Sequence, residues 1–520
     1  MPRSNIQLGG QELKLDADAD TSITVDTDDQ IDIKIAGSDK LKIDASSHLV
    51  TTTAGTSNLV LGVNAGNSIQ SGGNNNTLVG DEAGTAITTG DRNTAVGFEA
   101  LKTVSTGSYN VAVGYQALEN NTGDNNTAIG DQALEANTSG SNNTAIGDDA
   151  GVSVTTGERN VLIGTLSGDA LTDADRNVAM GHGALSDDTK GSRSVAIGYQ
   201  ALSSQNFTSA TDTYNTALGY QAGLAVTTGI QNTLVGYAAG DHVTTGLFNT
   251  ITGAFAGDAL TVGQYNVAIG GNSLSTDTQG SRSTAVGYGA LNGQNQSSAA
   301  DTYNVAMGYT AGNNMSTGKA NTLLGSNAAS GGTISGDDNT CVGYASGLSL
   351  SSGSNNLFLG HDAGRSGSPG GQHTTASNRM VLGDENITNC HVQVDWTIAS
   401  DQRDKTDFTS LDVGLDFVKA LNPVTYKWDK RSKYVDKHDP SVDLDKVTSD
   451  GTHKEDWLDV GFKAQEVEIL EKSLGYKIAD KTNLTTTLSD DGKQYGIQYT
   501  KFVPILVKAV QELSAKNDAL

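Results

Sequence analysis

The sequence predicts a mainly β protein: an elongated stack of β-roll or β-solenoid coils of about 17 residues each, followed by an α+β domain that ends in a long helix. Three observations support this. A short phrase of the type "NTAVG" recurs along most of the chain, the 520 residues include 63 glycines but only 5 prolines, and all three tryptophans follow residue 395. We therefore divide the chain into a short-strand region (1–57), a repetitive shaft (58–395) and a C-terminal domain (396–520).

The repeat consists of an Asn or Ser, a short β-prone run, a Gly and small residues. Full copies begin at Asn76, Asn93, Asn110, Asn126, Asn143, Asn160, Asn177, Ser194, Asn215, Asn232, Asn249, Asn266, Ser283, Asn304, Asn321, Asn339 and Asn356, with weaker copies at Asn58 and near Asn378. Most steps are 17 residues, and the two 21-residue steps lie 89 residues apart, which indicates a duplicated block of five coils. One coil cannot enclose a core, but stacked coils can share one.

The residue types within the repeat predict how the coils stack. Frequent Ala and Gly favour an interior too thin for Leu or Phe. Cys341 replaces a repeated Ala and is expected to be buried. The repeated Asn either forms an amide ladder between coils or adopts a left-handed turn conformation.

The phrase "N-[TV]-A-[VI]-G-x-x-A" resembles the head repeats of trimeric autotransporter adhesins over residues 58 to about 383. Those heads are left-handed parallel β-rolls packed as trimers. The resemblance therefore implies that this chain forms a parallel homotrimer.

The first 57 residues follow a different pattern. Apolar residues alternate with polar ones, which is typical of short amphipathic strands. These residues are Ile23, Val25, Ile31, Ile33, Ile35, Leu41 and Ile43.

Charge and composition exclude several classes of function. A formal net charge of −26 argues against a nucleic-acid partner, because phosphate binding requires clustered Lys and Arg. No stretch approaches the ~20 apolar residues of a membrane span, and the first residues lack the apolar segment of a signal peptide. We expect no membrane insertion, no cofactor and no metal.

The C-terminal domain contains patterns of ordinary globular sequence. Apolar residues at helical spacing predict a helix that ends before Pro423, a second helix after "VGFK" and a third at the end of the chain, while "VTYKW" alternates as a strand. The apolar positions are Leu411, Leu415, Val418 and Leu421, then Ala464, Val467 and Leu470, then Phe502, Leu506, Ala509, Val510 and Leu513. The apolar stripe of the third helix can pack on its own domain or in a trimeric bundle.

Four motifs occur in order between Ile398 and Leu513: "SDQRDK", "LNPVTYKW", "VGFKAQEV" and "QYTKFVPILVKAVQEL". Together they resemble the intramolecular chaperone auto-processing domain at the end of phage tail fibres, tailspikes and endosialidases. The resemblance implies that this domain drives trimerisation and folding, and is then released by self-cleavage.

The resemblance also implies the residues of that reaction. Ser400 is the nucleophile, Lys405 is its general base, and the Ala399–Ser400 bond is cleaved. Asp401, Arg403 and Gln465 are possible supporting residues, although shaping the local structure is the simpler role for each. Such a Ser–Lys endopeptidase acts once per chain, so no turnover enzyme is expected.

The sequence thus favours a structural virion protein, a phage tail fibre made in the host cytoplasm. Its expected partners are two further copies of itself, tail or baseplate proteins at the N-terminal region, and a glycan or protein of the host surface. A glycan-depolymerising tailspike and a bacterial trimeric surface adhesin remain alternatives. Glycan cleavage requires paired carboxylates in a groove, whereas the acidic residues of the repeats are scattered.

Overall fold

A computed structural model describes residues 13–14, 21–25, 31–35, 38–43, 49–51, 53–393, 396–435 and 443–520. The chain divides into two compact units, Met1–Ser281 with Ser297–Ala300, and Arg282–Gln296 with Asp301–Leu520. Among the described residues, no helix has the length and apolar character needed to cross a membrane.

The first unit opens with an antiparallel sheet whose neighbours in sequence are neighbours in space. Its strands are Leu13–Lys14, Ser22–Val25, Ile31–Ile35, Ser38–Ile43 and Leu49–Thr51. Ile33 pairs with Ile23 on one side and with Leu41 on the other, so the alternating apolar residues are aligned across the sheet. The short strands predicted here are confirmed.

The rest of the first unit is a parallel β-solenoid in which each short strand pairs in register with the next copy. These strands are Leu59–Leu61, Thr77–Val79, Thr94–Val96, Val111–Val113, Thr127–Ile129, Thr144–Ile146, Val161–Ile163, Val178–Met180, Val195–Ile197, Thr216–Leu218, Thr233–Val235, Thr250–Thr252 and Val267–Ile269. Shorter strands are Gly191–Ser192, Thr211–Asp212 and Gly280–Ser281.

The second unit contains the same kind of ladder. Its parallel strands are Thr284–Val286, Val305–Met307, Thr322–Leu324, Thr340–Val342, Leu357–Leu359 and Met380–Leu382. A further two-residue strand, Ala300–Asp301, includes the last residue assigned to the first unit. In both units a strand begins one residue after each predicted repeat start, except that Arg379, not Asn378, precedes the last strand. The parallel solenoid of about 17-residue coils is therefore confirmed.

The repeated Asn side chains form a ladder between successive coils. The backbone N–H of Asn93 donates to Oδ1 of Asn76 at 2.9 Å, and Nδ2 of Asn93 donates to the carbonyl of Gly107 at 2.9 Å. Asn110 repeats the pattern by donating its backbone N–H to Oδ1 of Asn93 at 3.0 Å. The ladder alternative is thus confirmed, and it satisfies backbone groups that would otherwise be buried without partners.

The left-handed conformation belongs to the residue before each ladder Asn, not to the Asn itself. Arg92 and Tyr109 have φ of 57° and 62°. The Gly that follows each strand is required by the close approach of the next coil. Gly97 has φ of +142°, and a Cβ there would lie 2.1 Å from the carbonyl oxygen of Gly114. Only Gly permits this approach of neighbouring coils.

The interior is wider than the composition predicted. Ala occupies most strand centres, but large side chains are fully buried beside them, including Leu101, Leu118 and Phe358. The expectation of an interior too thin for Leu and Phe is therefore wrong. Leu101 and Leu118 lie in the turns that follow the strands, and each adopts φ of 52°. These turns direct both side chains into the interior. Cys341 is buried as predicted, and burial raises the pKa of its thiol to about 12.

The longer, 21-residue coil before Asn215 supplies an amide that is missing from the ladder. Ser194 stands at a ladder position but lacks an amide. The longer coil supplies Gln205, whose Oε1 accepts from Nδ2 of Asn215 at 2.8 Å and whose Nε2 donates to Oγ of Ser194 at 2.9 Å. In the duplicated block Gln294 makes the equivalent bond, at 2.8 Å, with Nδ2 of Asn304. The insertion and the Ser substitution therefore belong together.

The C-terminal part of the second unit has mixed structure. Its helices are α1 (Leu415–Ala420), α2 (Ala464–Ser473) and α3 (Phe502–Asp518). Two antiparallel pairs join Val424–Tyr426 with Asp459–Gly461, and Thr486–Leu488 with Tyr495–Ile497. Single 3₁₀ turns occur at Gln402–Asp404, Arg431–Tyr434, Leu444–Lys446 and Tyr499–Lys501. The core consists of Val413, Phe417, Val467, Phe502 and Ile505.

The predicted helices form, but two details differ. The first helix begins at Leu415, so Leu411 precedes it and packs against the core from an extended segment. On α3 the buried residues are Phe502, Ile505 and Ala509. The other members of the predicted stripe remain exposed: Leu506, Val510 and Leu513.

Candidate functional site

The predicted reaction site lies in an exposed segment before α1. Ile398 and Phe408 are 71% and 66% exposed although both are large and apolar. Within this segment Gln402–Asp404 forms a single 3₁₀ turn, in which the N–H of Lys405 donates to the carbonyl of Gln402 at 3.2 Å. This turn folds the chain back, so that residues five apart in sequence can meet.

Ser400 and Lys405 are in contact across this turn. Nζ of Lys405 donates to Oγ of Ser400 at 2.5 Å and lies 3.4 Å from the Ser400 carbonyl oxygen. We refer to these two residues as the dyad. A serine hydroxyl becomes a strong nucleophile when an adjacent base removes its proton. The two side chains that such a step requires are therefore in contact within one chain.

Asp401 and Arg403 bond to each other. Asp401 caps the 3₁₀ turn by accepting the backbone N–H of Arg403 at 2.9 Å, and its carboxylate pairs with the guanidinium at 2.6 Å. The Arg403 guanidinium holds the pKa of Asp401 below its ordinary value, and Asp401 raises the pKa of Arg403. These contacts stabilise the turn that brings the dyad together.

Gln465 lies in the first turn of α2 and not in the exposed segment. It lines a cavity of about 780 Å³ together with Tyr426, Trp428, Phe462 and Tyr499. Within the part of the chain that the structure describes, Gln465 makes no hydrogen bond to either member of the dyad. No hydrogen bond within the single chain therefore supports the predicted role of Gln465 beside the dyad.

The segment around the dyad matches a known family. Residues 400–474 match the family model described as chaperone of endosialidase. No curated protein and no solved structure matches the chain. The match begins at Ser400, includes Lys405 and Gln465, and ends just after α2. Together with the parallel β-solenoid, this endosialidase-type chaperone segment fits a phage tail fibre with a C-terminal chaperone domain.

The chaperone segment is tied to the following strand by a buried carboxylate that the sequence analysis missed. Glu471 on α2 is fully buried, and Thr485 and Thr486 donate to it from their hydroxyls at 2.6 and 2.7 Å. Backbone N–H groups of Leu484, Thr485 and Thr486 also donate to it. Burial alone would raise the pKa of Glu471, but these hydrogen bonds outweigh it and lower the pKa. A Glu followed by a distant Thr pair offers no recognisable sequence signal.

Proposed function

We propose that this protein is a homotrimeric phage tail fibre. In this proposal residues 396–520 are the chaperone domain that assembles three chains, and residues 58–395 form the shaft. Residues 1–57 bind tail or baseplate proteins, and the shaft contacts a glycan or protein on the host surface. The family match to an endosialidase chaperone and the parallel solenoid support this assignment.

The observation that carries the proposal is an apolar stripe on α3 with no cover in the single chain. Its residues are 46% to 65% exposed and recur at spacings of three and four, as in the heptads of a coiled coil. They are Val503, Leu506, Val507, Val510 and Leu513. Exposed apolar stripes of this length mark interaction surfaces. A parallel trimer places three such stripes together and removes them from water.

The strands of the shaft support the same assembly. The centre of each strand points into the coil, while the third position faces outward and is usually Val, Ile, Leu or Met. In the first unit the most exposed of these residues are Leu61, Val96, Ile129, Ile146, Met180, Leu218 and Ile269. An outward column of apolar residues that recurs from coil to coil favours contact with neighbouring copies over contact with water.

We infer that the dyad performs self-cleavage. Lys405, once neutral, removes the proton from Oγ of Ser400, and Oγ attacks the carbonyl carbon of Ala399. The bond from this carbon to the Ser400 nitrogen breaks, and that nitrogen gains a proton and becomes the new amino terminus. The Ala399 acyl group is then held as an ester on Oγ. Water hydrolyses the ester, which frees the shaft with a carboxylate at Ala399 and restores the serine hydroxyl.

Assembly provides a reason for the timing of this reaction. A solvated lysine amine is protonated at neutral pH and cannot act as a base. The dyad segment is exposed in one chain, so a neighbouring copy that covers it would favour the neutral amine. Cleavage would then report a completed trimer. Loss of the chaperone would also remove a route for unfolding and increase kinetic stability.

Intact mass and light scattering of the purified protein test both parts of the proposal. We expect fragments of 399 and 121 residues from the wild type, and only full-length chains from Ser400→Ala and Lys405→Ala. Ser410→Ala, a change at another exposed serine of the same segment, should leave cleavage unchanged. Full-length wild type in a stable trimer would refute self-cleavage but retain the chaperone.

A second pair of variants tests the trimer. The double change Leu506→Asp and Val510→Asp introduces charge into the α3 stripe and should give uncleaved monomers. Gln511→Asp places one such negative charge on an exposed polar position of the same helix and should remain trimeric and cleaved. A trimer that survives the double change would show that α3 does not hold the chains together.

A further inference from the structure

Three side chains with metal-binding atoms converge near the last strands of the solenoid. His361 and Asp362 follow the strand Leu357–Leu359, and Asp384 follows the next strand, Met380–Leu382. Nδ1 of His361 lies 3.3 Å from Oδ2 of Asp362 and 3.5 Å from Oδ2 of Asp384. All three candidate ligand atoms lie within 4.8 Å of one another. Parallel pairing of the two strands therefore places ligands from successive coils together.

The charge of this cluster favours an added cation. Asp362 and Asp384 are only 1% and 5% exposed, whereas His361 is half exposed. The buried guanidinium of Arg365 donates to Oδ1 of Asp362 at 2.7 Å, on the carboxylate oxygen that does not face His361. Asp362 and Asp384 are thus buried carboxylates that face the same surface histidine, and buried carboxylates are stabilised when they are paired or bind a metal.

The polar surroundings also orient the ligands. Asp384 accepts from the backbone N–H of Asn386 at 3.0 Å and from its Nδ2 at 2.8 Å. The ring of His361 stacks on Tyr344 with a centroid separation of 5.3 Å. Outer contacts of this kind fix the orientation of metal ligands and strengthen binding. His361 and both carboxylates are thus held in place before any ion arrives.

We propose that His361, Asp362 and Asp384 bind a divalent transition cation, with Zn²⁺ as the best-fitting ion. Ligand atoms about 2.0–2.1 Å from a tetrahedral Zn²⁺ lie roughly 3.4 Å apart, close to the two separations measured from His361. Imidazole with carboxylate suits Zn²⁺, whereas Ca²⁺ and Mg²⁺ favour oxygen ligands alone. The ion joins two successive coils at the end of the solenoid. It stabilises the folded chain because an unfolded chain does not assemble the site.

Calorimetric titration of the untagged, EDTA-treated full chain with ZnCl₂ tests the site. We expect one Zn²⁺ per chain in the wild type, at least tenfold weaker binding in His361→Ala, and no comparable heat with MgCl₂. His361 is on the surface, so this change should not disturb folding. His242→Ala is the matched control, because His242 is an exposed histidine 2.9 Å from Asp241 and should retain full binding.

Thermal unfolding gives an independent measure on the same samples. Added ZnCl₂ should raise the unfolding temperature of the wild type and of His242→Ala, but not that of His361→Ala or Asp384→Asn. Equal Zn²⁺ affinity in wild type and His361→Ala would overturn the proposal. So would a wild type that takes up no Zn²⁺, because the cluster would then be held by ion pairs alone.

Discussion

The guanidinium of Arg379 forms two hydrogen bonds with the carboxylate of Asp490, at 3.1 and 2.8 Å. Arg379 occupies the position of the next ladder Asn, and its backbone N–H donates to Oδ1 of Asn356 at 3.0 Å. An arginine has no oxygen to continue the ladder. Its side chain instead connects the last strand of the solenoid to the C-terminal hairpin that contains Asp490. The ladder thus ends in a contact with the next part of the same unit.

This pair should couple the hairpin to the end of the solenoid. Burial would raise the pKa of Asp490, but Arg379 outweighs it and holds the pKa below its ordinary value. A double-mutant cycle with Arg379→Ala and Asp490→Asn should give a coupling free energy of about 0.5 kcal/mol, because both side chains are partly solvated. Since the folded pKa is lowered, the coupling is present above the unfolded pKa of Asp490. It is lost as pH falls through the folded value.

Denaturant unfolding at pH 7 and at pH 3 measures this coupling, in the Ser400→Ala background that keeps both residues in one chain. His373 also lies 3.2 Å from Asp490, so the cycle should be repeated in a His373→Ala background. Strictly additive effects of the two changes at pH 7 would show that the contact contributes no stability.

The Asn ladder should be among the most sensitive features of the shaft. Oδ1 of Asn232 accepts the backbone N–H of Asn249 at 3.1 Å, and its Nδ2 donates to the carbonyl of Gly246 at 2.9 Å. Asn232→Ala leaves both groups buried without these partners, at about 1–3 kcal/mol each. We expect the free energy of unfolding to fall by about 2–4 kcal/mol in chemical denaturation.

Asn120→Ala is the matched control for this change. Asn120 lies in the same unit, but its side chain is exposed and forms one hydrogen bond, to the carbonyl of Glu135. Its substitution should change stability by no more than about 0.5 kcal/mol. Equal losses at the two positions would mean that the ladder does not have the stabilising role described above.

The sequence predicts the solenoid well because each position of the repeat meets a separate physical requirement. The Asn position forms the ladder, the strand centre is buried, and the following Gly allows neighbouring coils to approach. These requirements recur with the coil, so the period reveals them. The buried leucines of the turns are different. Leu101 is fully buried in a turn where its φ is left-handed, and an apolar pattern does not reveal that conformation.

The features of the candidate site were likewise only partly predictable from the sequence. The family resemblance of the four ordered motifs implies the pair Ser400 and Lys405, and the 3₁₀ turn between them brings the two side chains into contact. The predicted stripe on α3 was only partly buried, since Leu506 and Val510 face away from the core. A helical stripe does not distinguish packing within a chain from packing between chains, because both require the same apolar spacing.

The stability of the coil in which Ser194 replaces a ladder Asn should depend on the inserted Gln205. Nε2 of Gln205 donates to the buried carboxylate of Asp188 at 2.6 Å as well as to Ser194. Gln205→Ala removes these bonds and the acceptor for Nδ2 of Asn215. We expect a loss of about 2–3 kcal/mol in the free energy of unfolding.

A second substitution should reverse part of this loss. Ser194→Asn restores an amide at the ladder position, so the double variant with Gln205→Ala should be more stable than Gln205→Ala alone. In the wild-type background the same Ser194→Asn should destabilise, because Gln205 already occupies the space. Chemical denaturation of the four proteins measures this change of sign. If Ser194→Asn has the same effect in both backgrounds, Gln205 does not substitute for the missing amide.

The buried carboxylate of Glu471 should make the C-terminal domain sensitive to acid. Glu471→Gln replaces an ionised acceptor with an amide whose donors face other donors, and hydrogen bonds to charged groups contribute about 1.5–3 kcal/mol each. We expect the free energy of unfolding to fall by about 2–3 kcal/mol at pH 7. Tryptophan fluorescence reports this domain selectively, because Trp396, Trp428 and Trp457 all lie in it.

The pH dependence identifies the carboxylate as the cause. Hydrogen bonds lower the folded pKa of Glu471, so its stabilisation is complete above the unfolded pKa of about 4.3. It is lost as pH falls through the folded value. The difference between wild type and Glu471→Gln should therefore shrink below pH ~4. Glu466→Gln, on the exposed face of the same helix, should unfold as the wild type does. A difference for Glu471→Gln that does not change with pH would assign its effect to packing instead of charge.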